Sequence, residues 1–138
     1  MYHYGETRGY REVGFYIRKP IMRKIKEIGG VSERICYLIL KVEEKVNALI
    51  VQIYAPTMEA KEGEREEFYA KLEELLEQNK EYYTMIMRDW NAKIGGNEGG
   101  SGNLGKYGLG SKNKNGERLI EFAAQKNLKI ANTFYKKR

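Results

Sequence analysis

A run of apolar residues at positions 82–87 stops abruptly at two charged residues, Arg88 and Asp89. A run of this length fits a buried strand, and a strand that ends in polar side chains is a common way for an α/β domain to present a site. Asp89 is the only aspartate among the 19 acidic residues of the chain. Asn91 follows two positions later, so on extended backbone both side chains point to the same side. This spacing predicts a site for a cation and a phosphate oxygen.

Length and composition indicate a single globular domain over residues 1–138. A hydrophobic content of 41% with 32% charged residues excludes the disordered and membrane classes. No apolar run approaches the length of a membrane span, and no signal peptide opens the chain. The one cysteine, Cys36, lies in an apolar run and is interpreted as a small buried hydrophobe. We therefore predict an intracellular protein, nuclear or cytoplasmic, that is not secreted and has no membrane partner.

The spacing of apolar residues predicts both strands and helices, as in an α/β fold. Besides the run at 82–87, the predicted strands are residues 13–17, 33–42, 46–54 and 128–132. The predicted helices are residues 62–78 and a second segment that Asn115 would cap and Asn127 would end. The two middle strands are apolar on both faces near their centres, which is typical of a sheet covered on both sides.

Positive charge is concentrated on either side of an acidic segment. The chain carries a net charge of +6, whereas residues 53–88 contain five basic and nine acidic side chains. Residues 89–138 contain ten basic and four acidic side chains. This distribution permits a polyanionic partner, and we predict sequence-independent binding to DNA. An ordinary lysine-rich surface would explain the charge alone equally well.

Two nucleotide-binding patterns fall within a glycine-rich segment, residues 95–116, which holds nine of the 15 glycines. Gly100 to Gly105 spells G-x-G-x-x-G, and with Lys106 it also spells G-x-x-x-x-G-K. Both patterns need a strand immediately before and a helix immediately after. Further glycines stand where that helix would begin, so we reject both interpretations. The segment is predicted to be a flexible, basic surface loop.

Residues 87–95 resemble the Gly-Asp-Phe-Asn-Ala motif of the endonuclease/exonuclease/phosphatase superfamily. Residues 13–15, 50–57 and 115–119 also resemble that family and occur in the same order. The resemblance is strongest to the apurinic-endonuclease-like domain of non-LTR retrotransposons and to the craniofacial development protein 2-like proteins derived from such elements. It implies a two-sheet α/β sandwich, of which this chain is the central part.

The resemblance also implies magnesium-dependent hydrolysis of DNA phosphodiesters and assigns roles to three residues. Asp89 would orient or deprotonate the attacking water and lie close to the metal. Asn91 would hydrogen-bond a phosphate oxygen and also lie near the metal. Tyr54 would stabilise the phosphate or the departing oxygen.

Other parts of the family site have no match among these residues. The family's metal-binding glutamate lies upstream of the segment that matches residues 13–15, and its later aspartate and Ser-Asp-His end lie downstream of residue 138. The single histidine, His3, is given no role. We therefore expect a domain truncated at both ends, with an incomplete metal site, weak or absent magnesium binding and little or no activity. Exposed sheet edges would favour self-association. The alternative is a non-catalytic nucleic-acid-binding or protein-interaction module that retains the scaffold.

Arg88 occupies the position of a family glycine. Neighbouring residues on a strand alternate between faces, so Arg88 is predicted to point away from Asp89. The competing hypothesis is an inhibitory pair between the Arg88 guanidinium and the Asp89 carboxylate.

Overall fold

A computed structural model describes residues 2–4, 13–96 and 102–136. The chain divides into two compact units, Met1–Asp89 (the first unit) and Trp90–Arg138 (the second unit). The described residues form an α/β fold with a mixed four-stranded sheet and three α-helices, which confirms the α/β part of the predicted fold, while the two-sheet sandwich stays a prediction. The single-domain prediction stays a prediction.

Within the described residues, six strands and three α-helices follow one another. The strands are β1 (Tyr2–Tyr4), β2 (Val13–Phe15), β3 (Ile25–Ser32), β4 (Ile35–Glu43), β5 (Val46–Tyr54) and β6 (Tyr83–Asp89). The helices are α1 (Lys19–Met22), α2 (Glu62–Gln78) and α3 (Lys114–Gln125), and a 3-10 helix covers Ala131–Thr133.

The four-stranded sheet has the order β3-β4-β5-β6. The pairs β3/β4 and β4/β5 are antiparallel, whereas β5 and β6 are parallel. Parallel neighbours need a crossover connection, and α2 lies in the segment that joins them. Strands β1 and β2 form a separate antiparallel pair. The carboxyl ends of β5 and β6 therefore lie side by side.

Strand β2 covers one face of the central strands. Val13 and Phe15 from β2 pack with Cys36 and Leu38 from β4 in one buried cluster. Tyr54, the last residue of β5, packs against the edge of this cluster. Full burial of an aliphatic or aromatic side chain is worth about 1.5–3 kcal/mol. The cluster thus fixes the end of β5 in place.

The opposite face of the sheet is also buried, and α2 has a buried side of its own. The buried residues on that face include Ile35, Leu49, Val51 and Ile53, and those of α2 are Phe68, Tyr69, Leu72 and Leu75. An ion pair between Arg34 and Glu64, with 2.5 Å from Nη2 to Oε1, joins the start of β4 to the first turns of α2. Burial on both faces of β4 and β5 confirms the interpretation of their apolar centres.

The second unit is built around α3. Leu119, Phe122 and Ala123 of this helix are buried, and the Trp90 ring lies 6.3 Å from the Phe122 ring between centroids. Leu104 and Ile130 form an isolated parallel bridge. The backbone N–H of Ile130 donates to the Asn103 carbonyl at 3.0 Å.

The structure bears out some of the predicted elements and corrects others. Strand β5 and helix α2 have the predicted bounds. Residues 128–132 do not form the predicted strand, because only Ile130 makes a bridge before the chain turns into the 3-10 helix. The cap of α3 is Asn113, whose side chain accepts from the Gly116 N–H; Asn115 lies inside the helix. Helix α1 and strand β3 were not predicted. Within the described ranges, no helix is long and apolar enough to cross a membrane.

Strand β6 is less buried than its apolar sequence predicts. It lies at the edge of the sheet, and β2 covers β4 and β5 rather than β6. Tyr83, Met85 and Met87 alternate along one face and are exposed, Met85 at 59% of its surface. The opposite edge strand, β3, carries charged side chains and two register shifts, which discourage pairing with another chain. The edge at β6 has a run of six uncharged residues and lacks such protection.

We expect the protein to self-associate through β6, and Met85→Lys to reduce this association. A charge on an exposed edge strand is costly to bury against a second chain. Sedimentation velocity should show a mass that rises between micromolar and millimolar concentrations for the unsubstituted protein and rises much less for Met85→Lys. Met58→Lys is the control, because Met58 is exposed in the same unit but lies outside the sheet. Equal association of all three proteins would contradict the assignment to β6.

Candidate phosphate-handling site

Two of the predicted site residues are neighbours at the carboxyl end of the sheet. Tyr54 is the last residue of β5, Asp89 is the last residue of β6, and the parallel register places them opposite each other. Register partners in a sheet present their side chains on the same face. The Ala55 N–H donates to the Asp89 carbonyl at 2.9 Å, which continues the ladder beyond the strands. The half-buried Tyr54 and the exposed Asp89 are therefore register neighbours at the ends of two parallel strands.

Arg34 holds Tyr54 in this position. Its Nη1 donates to the Tyr54 carbonyl at 3.2 Å, and its guanidinium carbon lies 5.5 Å from the centroid of the Tyr54 ring. Arg34 is itself buried, and the carboxylate of Glu64 neutralises its charge. A cation over an aromatic ring attracts the ring, most strongly where both are shielded from water. Arg34 is a positioning residue that sequence reasoning missed; its place just before an apolar strand was the available signal.

Asn91 lies in the segment that two other asparagines fasten to the start of α3. The Asn91 carbonyl accepts from Asn115 Nδ2 at 2.9 Å. Asn113 Oδ1 accepts from the Lys93 N–H at 3.0 Å, and the Asn113 N–H donates to the Lys93 carbonyl at 3.1 Å. Asn91 has φ 46°, a left-handed conformation that asparagine tolerates better than most residues. The backbone after Asp89 is thus held by at least three hydrogen bonds within the second unit.

Gly116 permits this close approach. A Cβ atom at position 116 would lie 1.9 Å from the Lys93 carbonyl oxygen, so no larger residue fits without moving the backbone. Three residues at the start of α3 therefore hold the segment 91–93 against the helix: Asn113, Asn115 and Gly116. The family resemblance at residues 115–119 had marked this part of the sequence, but it did not show that Asn115 and Gly116 contact the segment after Asp89.

Arg88 departs from regular strand geometry. Its φ of 102° lies in the region that favours glycine, which is the residue of the family motif at this position. The alternation that predicted Arg88 to point away from Asp89 assumes regular extended backbone, and that regularity is interrupted here. Burial raises the pKa of the Cys36 thiol to about 11, and the Arg88 charge opposes part of this rise.

We expect Arg88→Gly to stabilise the protein. Strained backbone of this kind costs on the order of 1–3 kcal/mol, which glycine would relieve. Glycine also has more freedom in the unfolded chain, and this offsets roughly 0.5–1 kcal/mol of the gain. A net gain of about 1 kcal/mol corresponds to a rise in Tm of roughly 3–5 °C. Thermal melting followed by circular dichroism measures it. The matched control is Arg88→Ala, which removes the charge but keeps the Cβ atom, and it should give little gain. An equal rise for both variants would assign the effect to charge rather than to backbone strain.

The described residues do not by themselves fit a magnesium site. Within those ranges, no group of three or more histidine, cysteine, aspartate or glutamate side chains is close enough together to hold a metal ion. Of the two residues predicted to lie near the metal, Asp89 has a carboxylate and Asn91 has only an amide. Magnesium needs near-octahedral oxygen ligands and gives up its water reluctantly, so one carboxylate is a weak site.

Comparison with known proteins shows a similarity over part of the chain. Over 90 residues, 64% of this chain, the sequence is 44% identical to craniofacial development protein 2 from Bos taurus. The chain is similar to craniofacial development protein 2. The same protein from Tragulus javanicus is 43% identical over 90 residues. The match spans only 15% and 16% of the length of these two craniofacial development protein 2 sequences.

The similarity supports the craniofacial development protein 2 part of the sequence resemblance. No family model matches the chain, and no solved structure matches it. The wider superfamily and its chemistry therefore stay predictions.

Proposed function

We propose that this chain is the central part of an endonuclease/exonuclease/phosphatase-type domain, with the two-sheet sandwich of that superfamily. Its ancestral activity is magnesium-dependent hydrolysis of DNA phosphodiesters, in a protein derived from a retrotransposon. The 138-residue chain alone retains part of the phosphate-handling site and has little or no nuclease activity. The observation that carries the proposal is the parallel register of β5 and β6, in which Tyr54 and Asp89 are paired neighbours.

Three side chains have the chemistry for separate tasks on a phosphodiester. The Tyr54 hydroxyl donates a hydrogen bond to a phosphate oxygen or to the departing oxygen. The Asn91 amide donates to a phosphate oxygen. The Asp89 carboxylate accepts a proton from the attacking water, as a general base does. When bound in a complete site, magnesium would supply charge neutralisation on the phosphoryl oxygens.

The backbone at position 88 supports the same ancestry. Glycine is the family residue there, and Arg88 retains a φ of 102° that suits glycine. If an arginine replaced a glycine after the fold was established, the backbone at that position would keep the conformation that suits glycine. Arg88 also brings a cation next to Asp89 in sequence, which opposes the approach of a metal cation.

A plasmid-nicking assay tests the proposal. Supercoiled plasmid is incubated with the purified chain and with Asp89→Ala, each with magnesium or with a chelator. Neither protein should relax the plasmid above background, because the described residues supply too few ligands for the metal. Nicking by the unsubstituted chain in magnesium that Asp89→Ala abolishes would show that the inactive-remnant proposal is wrong.

A non-catalytic binding module is the second candidate function. The second unit, with ten basic and three acidic side chains, favours a nucleic-acid partner of this kind. Binding to DNA that persists in chelator and in Asp89→Ala would support this module. A nuclear or cytoplasmic location remains part of the proposal.

A further inference from the structure

A surface cleft of about 490 Å³ lies within the second unit. Its lining residues come from two segments, 102–107 and 129–134, and are Gly102, Leu104, Gly105, Lys106, Tyr107, Lys129 and Phe134. The volume falls within the range of about 300–1,000 Å³ that small-ligand sites occupy. None of the three residues of the proposed phosphate-handling site lines it, so the cleft is a separate feature.

Backbone hydrogen bonds hold the two walls of the cleft together. The Tyr107 N–H donates to the Thr133 carbonyl at 2.8 Å, and the Gly105 N–H donates to Thr133 Oγ1 at 2.8 Å. A Cβ atom at Gly105 would lie 2.2 Å from the Thr133 carbonyl oxygen, so the walls approach each other through glycine. Thr133 is fully buried beneath them. The cleft is therefore formed before any ligand arrives.

Each wall pairs a cation with an aromatic ring. Lys106 Nζ lies 5.2 Å from the centroid of the Tyr107 ring, and Lys129 Nζ lies 5.8 Å from the centroid of the Phe134 ring. The two aromatic residues, Tyr107 and Phe134, are 36% and 37% exposed, so part of each is accessible to a ligand. Lys106 is the lysine that completed the rejected G-x-x-x-x-G-K pattern.

We propose that this cleft binds single-stranded nucleic acid. An unpaired base stacks on the Tyr107 or Phe134 ring, and neighbouring phosphates contact the ammonium groups of Lys106 and Lys129. A duplex keeps its base faces stacked inside and cannot use the rings in this way. The charge of the second unit, ten basic against three acidic side chains, favours a polyanion. This inference needs neither the phosphate-handling site nor its ancestry.

Fluorescence anisotropy with a labelled oligothymidylate, in chelator, tests the stacking contacts. Loss of one base–aromatic stack costs about 1–3 kcal/mol, so Tyr107→Ala and Phe134→Ala should each weaken binding by roughly 5- to 150-fold. Tyr135→Ala is the matched control and should bind like the unsubstituted chain, because Tyr135 is 75% exposed and does not line the cleft. Unchanged binding by both cleft variants, or an equal loss in the control, would overturn the proposal. Circular dichroism melts confirm that each variant is folded.

The salt dependence tests the lysines. Each lost phosphate contact on a single strand lowers the slope of log K against log salt by about 0.7, so Lys106→Ala with Lys129→Ala should lower it by about 1.4. Lys112→Ala with Lys114→Ala is the control pair from the same unit and should leave the slope unchanged. Equal losses in both pairs would show diffuse attraction and overturn the assignment of the lysines.

Two competitors define the ligand. Thymidine monophosphate should compete weakly, and duplex DNA of equal length should bind without sensitivity to Tyr107→Ala. Competition by polyglutamate as strong as that by oligothymidylate would overturn the nucleic-acid assignment. The binding experiment is run in chelator, and its variants lie outside the proposed phosphate-handling site, so it succeeds or fails independently of the nicking assay.

Discussion

Residues 13–136, joined to the flanking segments of an active endonuclease of the superfamily proposed above, are expected to nick supercoiled plasmid in magnesium. The flanking segments would bring the glutamate, aspartate and histidine of the family's metal site, which have no match in residues 13–136. Strands β5 and β6 would contribute Tyr54 and Asp89 in register. Asp89→Ala in the chimera should lower the nicking rate by about 10²- to 10⁴-fold, the usual range for loss of a general base. Initial rates of plasmid relaxation measure the effect.

Two further variants of the chimera sharpen the test. Arg88→Gly should raise its nicking rate, because it removes a cation beside Asp89 and restores the residue that suits the backbone. Tyr54→Phe should lower the rate while leaving the melting temperature nearly unchanged, since only a hydroxyl is lost. A chimera that folds and binds DNA but is inactive with Arg88→Gly would contradict the proposed roles.

Gly116→Ala is expected to destabilise the second unit strongly. The new methyl group would lie 1.9 Å from the Lys93 carbonyl oxygen and 3.3 Å from Asn113 Oδ1. Relief requires either separation of the Lys93 segment from α3 or distortion of the first turn of α3, and both weaken the Asn113 hydrogen bonds. Loss of a helix cap alone costs about 1 kcal/mol, and overpacking adds roughly 1–3 kcal/mol. We expect a loss of about 2–4 kcal/mol and a fall in Tm of about 10 °C or more.

Gly63→Ala provides the matched control for Gly116→Ala. Gly63 also lies in the first turn of a helix, α2, but a Cβ atom there would meet nothing within 4 Å. This substitution should be neutral or stabilise the protein by about 0.4–1 kcal/mol, because alanine restricts the unfolded chain. Urea unfolding of both variants separates the two effects. Equal stabilities would show that the Lys93 segment moves away from α3 at no cost.

Local pattern was sufficient for several elements. Helix α2 has its predicted bounds because four apolar residues repeat at helical spacing between polar neighbours, and β5 because its apolar run ends at a proline turn. Cys36 is buried, as its apolar neighbours indicated. The family motifs also identified Tyr54, Asp89 and Asn91 as candidates before any geometry was known.

Other elements depended on pairing between distant segments. Strand β3 has two adjacent glycines and scattered charges, so its own pattern is weak, and pairing with β4 holds it extended. Residues 128–132 have the alternation of a strand, yet only Ile130 finds a partner, Leu104, and the chain turns into a 3-10 helix. Asn115 had the residue type of a cap, but Asn113 precedes it and accepts from the Gly116 N–H first.

By itself, the sequence determined the bounds of α2 and β5 and named Tyr54, Asp89 and Asn91 as candidate site residues, because these depend on local periodicity, residue type and motif resemblance. Only the tertiary structure decided that Tyr54 and Asp89 are register partners, that β6 lies at an exposed edge, and that Arg88 has φ 102°. These three properties follow from hydrogen bonds and packing between segments far apart in the chain. Apolar content predicts that a strand will be buried, but it does not say which elements cover the strand or which strand takes the edge.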